Sequence, residues 1–210
     1  MRRLPVYLLL DVSTSMSGEP IAAVNNGIDT LLSSLRQDPH ALETAYLSVI
    51  EFGSSASQTV ELTELMDFEA PELTANGLTS MGAALDLLTD RVNAEVRTSS
   101  EGQRGDWRPL VFLFTDGLAT DDFSEAVDRL DRSKLGTIIA CAAGPYADTS
   151  QLVQLTENIV SLDKLDTNSI SAFFKWVSAS VSMSSVKVDA GSDTTGLDDL
   201  PPPPPEVRLV

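Results

Sequence analysis

The stretch PVYLLLDVSTSMSGEP, Pro5–Pro20, decides how this chain is read. Pro5 to Asp11 is an apolar run closed by a carboxylate, the pattern of a strand buried on both faces. Pro20 suits the first turn of a helix. Ile21, Val24, Ile28, Leu31, Leu32 and Leu35 follow at helical spacing and make one apolar stripe. Between strand and helix the chain places Asp11, Ser13 and Ser15. Either these residues form a polar turn that caps the helix, or their oxygens converge on a ligand.

Outward from this stretch, apolar runs alternate with helical patterns. Thr44 to Gly53 and Ala56 to Leu65 read as strands, and the few residues between them are too short for a crossover helix. They are expected to form an antiparallel hairpin. Thr79 to Arg97 reads as a helix, Ser99 to Asp106 as a polar loop, and PLVFLFTDG, Pro109–Gly117, as a buried strand. A helix over 123–133, the strand TIIACAA, a short helix near 150–157 and a strand at NIVSL follow. The last helix, about Ser169 to Ser185, carries Phe173, Phe174, Trp176, Val177 and Val181 as core residues.

This alternation predicts an α/β fold: a doubly wound, mostly parallel six-stranded sheet with helices on both faces. The expected order is 3-2-1-4-5-6 with strand 3 antiparallel. Residues 1–186 form the domain. Residues 187–210 form an acidic, proline-rich tail whose PPPPP run favours polyproline II. The run reads as a spacer presenting EVRLV, or as a ligand for an aromatic groove.

The chain has 31 acidic and 14 basic residues, a net charge of -17. Such a surface repels nucleic acid and anionic lipid. No apolar run reaches the ~18 residues of a membrane span. The start, MRRLPVYLLLDVS, reads as the first strand and not as a secretion signal, because the run is short and ends in Asp11. The one cysteine, Cys141, lies in an apolar run and is expected to be a buried, inert thiol. A cytoplasmic location is the expectation.

In the predicted order, strands 1 and 4 are neighbours at the point where the chain changes direction, which is where ligands bind. Asp11 closes strand 1 and Asp116 closes strand 4. Thr79 lies in NGLTSMG, the loop entering the helix before strand 4. Two carboxylates ~6 Å apart at an effective dielectric of ~20 repel by roughly 2.8 kcal/mol. A divalent cation offsets that repulsion. The all-oxygen set of Asp11, Ser13, Ser15, Thr79 and Asp116 suits Mg²⁺, Mn²⁺ or Ca²⁺ and argues against zinc or copper.

DVSTS, with Thr79 and Asp116, resembles the metal-ion-dependent adhesion site (MIDAS) of von Willebrand factor A domains, and the resemblance covers about Leu4 to Ser185. It implies that Ser13 and Ser15 ligate the metal directly, Thr79 directly or through water, and the aspartates largely through water. A metal held by neutral hydroxyls keeps positive charge for a partner's Asp or Glu carboxylate. The N-terminal sequence RLPVYLLLDVSTSMSGEPIAAVNNGI is similar to TerY-type proteins of bacterial tellurium resistance and chemical stress. That resemblance implies a protein-binding adaptor, not an enzyme, with a protein kinase and a phosphatase as partners. Two positions depart from the usual pattern: Thr14 and Leu78 stand where glycine is common.

The alternative function is a metal-assisted phosphoester hydrolase using the same oxygens, but no nucleophile or base is evident. His40, the only histidine, lies in RQDPHALE, a loop at the other end of the first helix. Ser13 also replaces the second aspartate of a D-x-D-x-T phosphatase motif. The pair Asp121 and Asp122 reads as the solvated start of a helix.

Overall fold

The computed structural model describes residues 2–102, 104–145, 147–189 and 200–210. The apolar runs form the strands β1 (Leu4–Asp11), β2 (Ala45–Phe52), β3 (Ala56–Glu64), β4 (Leu110–Thr115), β5 (Ile138–Ala143) and β6 (Ile159–Leu162). A further strand, β7, spans Val207–Leu209. The helices are α1 (Glu19–Leu35), α2 (Pro39–Thr44), α3 (Met81–Glu95), α4 (Phe123–Arg129), α5 (Leu152–Leu155) and α6 (Thr167–Asp189).

The sheet order is β3-β2-β1-β4-β5-β6-β7. β1 pairs in parallel with both β2 and β4, and β5 and β6 extend the parallel run. β3 returns antiparallel to β2, as the short connection requires. The expected order therefore holds over six strands.

Alternation along the central strands divides the core in two. Leu4, Val6, Leu8 and Leu10 of β1 face α1 and α6, together with Phe112 and Phe114 of β4. Tyr7 and Leu9 face α3 and α4 with Val111 and Leu113. Phe173 packs on Phe114 at 5.4 Å between ring centroids and edge-on against Phe174 at 5.5 Å. α1 and α6 approach closely at Gly27, where an added Cβ would lie 2.3 Å from the Phe174 ring. Cys141 is fully buried, and burial pushes its thiol pKa well up.

Several features differ from the sequence reading, and the helix expected over 123–133 already ends at Arg129. RQDPHALE is not a loop throughout: Asp38 caps α2, its Oδ1 accepting from the amides of His40 at 2.9 Å and Ala41 at 3.4 Å. α6 starts earlier and runs further than expected. Most consequential is β7, which lies inside the expected tail and pairs antiparallel with β6. Leu200 and Val207 are buried, and Trp176 Nε1 donates to the Pro201 carbonyl at 2.8 Å. VRL of EVRLV thus completes a sheet edge and is not held away from the domain. The acidic stretch 190–199 lies outside the described residues.

Candidate metal centre

β1 and β4 end side by side, with Leu10 opposite Phe114 in register. Asp11 follows on β1, and Asp116 lies just beyond Thr115 on β4. Asp11 is fully buried and held from both sides. Its Oδ1 accepts from the Ser13 amide at 2.8 Å, and its Oδ2 accepts from Thr115 Oγ1 at 2.6 Å. The sequence pattern does not single out Thr115, although it immediately precedes Asp116; its hydroxyl orients the Asp11 carboxylate.

Ser13 Oγ lies 3.0 Å from Ser15 Oγ, and Ser15 Oγ donates to Asp116 Oδ1 at 2.8 Å. Four of the five expected residues therefore form one hydrogen-bonded cluster. An octahedron with Mg–O distances of about 2.0–2.1 Å has edges of about 2.9 Å. The 3.0 Å spacing of the Ser13 and Ser15 hydroxyls matches that edge, so this hydroxyl pair, with two carboxylates beside it, fits a small hard cation.

Thr79 sits on an adjacent loop held by backbone contacts. The Asn76 amide donates to the Val12 carbonyl at 2.6 Å, and the Thr14 amide to the Gly77 carbonyl at 3.0 Å. Thr14 Oγ1 donates to the same carbonyl at 2.9 Å, so the residue that departs from the family pattern fastens the loop. Gly77 has φ +86°, and a Cβ there would fall 2.3 Å from Ser54 Oγ, which makes glycine necessary. From the other side, Thr79 N donates to Thr120 Oγ1 at 3.1 Å, and Thr120 N donates back to Thr79 O at 2.9 Å.

Asp121 does not start its own helix in solvent. Its two oxygens accept from the Gly82 and Ala83 amides at 2.9 Å each and so cap the N-terminus of α3, which fixes the turn carrying Thr79. At the far end of α3, Glu95 accepts from Tyr7 Oη at 2.8 Å and Gln58 Nε2 at 2.9 Å. α3 is thereby pinned at both ends.

Burial and carboxylate repulsion set the electrostatics of the two aspartates. Burial raises the pKa of Asp11, against the opposing effect of its hydrogen bonds from Ser13 and Thr115. Burial also raises that of Asp116, and the nearby Asp11 charge adds to the rise. Among the described residues no ion pair engages either carboxylate. Nor do three His, Cys, Asp or Glu side chains cluster anywhere among them, so a metal bound here depends on the serine hydroxyls. His40, on α2 before the start of β2, is at the opposite end of the sheet from this cluster.

Residues 6–171 match the von Willebrand factor type A domain, and the chain belongs to that family. No curated protein matches the chain in sequence. Solved structures with the same fold include a von Willebrand factor type A protein from Catenulispora acidiphila, with 15% identity and TM-score 0.67 over 86% of this chain and 43% of that one. The pilus adhesin SpaC from Lactobacillus rhamnosus GG, in its open conformation, matches with 14% identity and TM-score 0.69 over 87% of this chain and 30% of that one. Proximal thread matrix protein 1 from the mussel byssus, described with a zinc-occupied MIDAS motif, matches with 15% identity and TM-score 0.61 over 85% and 48%. The chain spans less than half the length of each of these structures.

Proposed function

We propose that the chain is a metal-ion-dependent protein-binding module whose metal is held directly by Ser13 and Ser15 and directly or through water by Thr79, with Asp11 and Asp116 acting largely through water. The observation that carries this reading is the hydrogen-bonded chain that runs from Asp11 through the Ser13 amide, and from the Ser13 hydroxyl through Ser15 to Asp116. When bound, the cation supplies a positive centre with a coordination position for a partner's Asp or Glu carboxylate. The protein's part is geometric. Thr115 and the Ser13 amide fix Asp11, while Thr14, Thr120 and Asp121 fix the Thr79 loop.

The same reading extends to an adaptor in a bacterial tellurium-resistance or chemical-stress system with a kinase and a phosphatase as partners. The TerY-type resemblance of residues 3–28 supports it. Burial of the lone Cys141 suits a reducing cytoplasm. Mg²⁺, Mn²⁺ and Ca²⁺ all suit these oxygens, and the zinc named in the mussel protein's MIDAS makes Zn²⁺ a fourth ion to test.

The test is thermal unfolding of wild type and Asp11→Ala in EDTA and then in rising concentrations of each ion. Saturation at ~100 times Kd adds roughly 2.7 kcal/mol. In a domain of this size that is on the order of 5–11 °C in Tm. A rise in the wild type that the variant lacks is expected. No rise with any ion would overturn the metal-site reading.

A further inference from the structure

Most large apolar side chains are buried, and the described exceptions include one on each of two loops that frame the cluster. Leu78, the residue before Thr79, is 60% exposed, and Leu118, two residues after Asp116, is 44% exposed. Their loops are bound to each other by the paired hydrogen bonds between Thr79 and Thr120. The floor beside Asp116 is open: a Cβ built on Gly117 meets nothing within 4 Å. Ser15 is exposed and Asp116 half-buried, so the oxygens are open to solvent, and each leucine lies within two residues of a member of the site.

Both loops are held by hydrogen bonds that involve neither leucine side chain. The Thr79 loop is held through backbone groups and through Thr14 and Ser54, whose Oγ accepts from the Leu78 amide at 3.2 Å. The Leu118 loop is held by the Ala119 amide donating to Gln151 Oε1 at 2.7 Å and by Thr120. Exposed apolar area beside a polar site is the composition of a binding surface, with the polar group fixing orientation and the apolar rim excluding water.

Net charge narrows the partner further. A chain of net charge -17 repels an acidic surface at long range, and only the local charge of a bound cation reverses that sign. A partner segment crowded with carboxylates gains one metal contact and suffers repulsion from the rest of the surface. A segment with one carboxylate among apolar residues gains the same contact without that penalty.

Resting on the metal-site reading, we propose that Leu78 and Leu118 form an apolar rim selecting a protein segment with a single Asp or Glu flanked by large apolar side chains. Three synthetic peptides of equal length test it. A central Asp is flanked by Leu and Phe in the first, by Gly and Ser in the second, and by further Asp and Glu in the third. Affinities are measured in Mg²⁺ and in EDTA for wild type and for the Leu78→Ser/Leu118→Ser double variant.

The expected result is binding of the first peptide in Mg²⁺ about tenfold tighter than the second, with the third weakest. The double variant is expected to abolish the preference and to keep the wild-type rise in Tm with metal. Metal-dependent binding of all three peptides with equal affinity would overturn the rim and leave the metal-site reading standing. Metal-independent binding, or a preference the double variant retains, would also overturn the rim. If metal raises Tm but no peptide binds, the carboxylate-partner reading falls, and the rim falls with it.

Discussion

Ser15 Oγ donates to Asp116 Oδ1 at 2.8 Å, joining residues 101 positions apart in the chain. The contact exists because β1 and β4 are parallel neighbours whose ends emerge at the same edge of the sheet. Neither residue depends on the other for its place in the fold. Ser15 is in a short 3-10 turn after β1, and Asp116 closes β4. The pair can therefore be altered without dismantling the domain.

Asp116→Asn removes a half-buried carboxylate whose charged form is disfavoured by burial and by Asp11. In EDTA the variant is expected to melt higher than wild type. In Mg²⁺ the order is expected to reverse, because the wild type gains stability from metal and the variant does not. Differential scanning calorimetry under both conditions checks this. A metal-induced rise of wild-type size in the variant would remove Asp116 from the site.

The pH dependence follows from the same two shifts. Asp11 and Asp116 have folded-state pKa values above their unfolded ones. Their ionisation therefore costs stability in the metal-free protein. That cost is full above the folded pKa and disappears below the unfolded one. A bound cation favours the ionised forms, so its stabilisation is present at neutral pH and is lost as pH falls through the raised carboxylate range. Tm with and without Mg²⁺ at matched pH isolates the effect from the other acids. The increment is expected to shrink steadily on acidification, and an increment independent of pH down to strongly acidic conditions would contradict it.

Gly77→Ala places a Cβ where φ is +86° and Ser54 lies within 2.8 Å by both its Oγ and its amide nitrogen. The backbone conformation alone costs about 1–2 kcal/mol, and the contact adds to that. Because Gly77 precedes the Thr79 turn, the variant is expected to weaken metal binding as well as lower Tm. Gly102→Ala serves as the control: it has a similar φ of +82° but no atom within 4 Å of the added Cβ. It is expected to lose a comparable amount of backbone stability and keep metal affinity. Isothermal titration with Mn²⁺ distinguishes the two.

The parts legible in the sequence are those set by local pattern or by strand order. The continuous apolar runs of β1, β4 and β5 specify buried parallel strands, and that order brings Asp11 and Asp116 together. α2 carries a signal, since Asp38 and Pro39 are good N-cap and N1 residues, but a six-residue helix is too short to show periodicity. The role of Asp121 is not legible, because its partners, the amides of Gly82 and Ala83, lie 39 and 38 residues upstream. β7 is three residues long and follows five prolines, so nothing local marks it as a strand. Its pairing comes from the exposed edge of β6 and from the contact of Trp176 with Pro201.

That docking predicts a stability role for a segment that reads as a tail. Val207 is 3% exposed, and Val207→Ala removes two buried methyl groups, at a cost of about 1–3 kcal/mol. Trp176→Phe keeps the ring in its packing beside Phe173 but loses the hydrogen bond to the Pro201 carbonyl, worth about 0.5–1.5 kcal/mol. Both variants are expected to lower Tm and speed amide exchange in β7, with the metal-induced rise in Tm unchanged because β7 lies three strands from β4. If the segment were undocked in solution, Val207→Ala would leave Tm unaltered. An unchanged exchange rate at Leu209, whose strand position is opposite Val160, would likewise mean that β7 does not pair with β6 in solution.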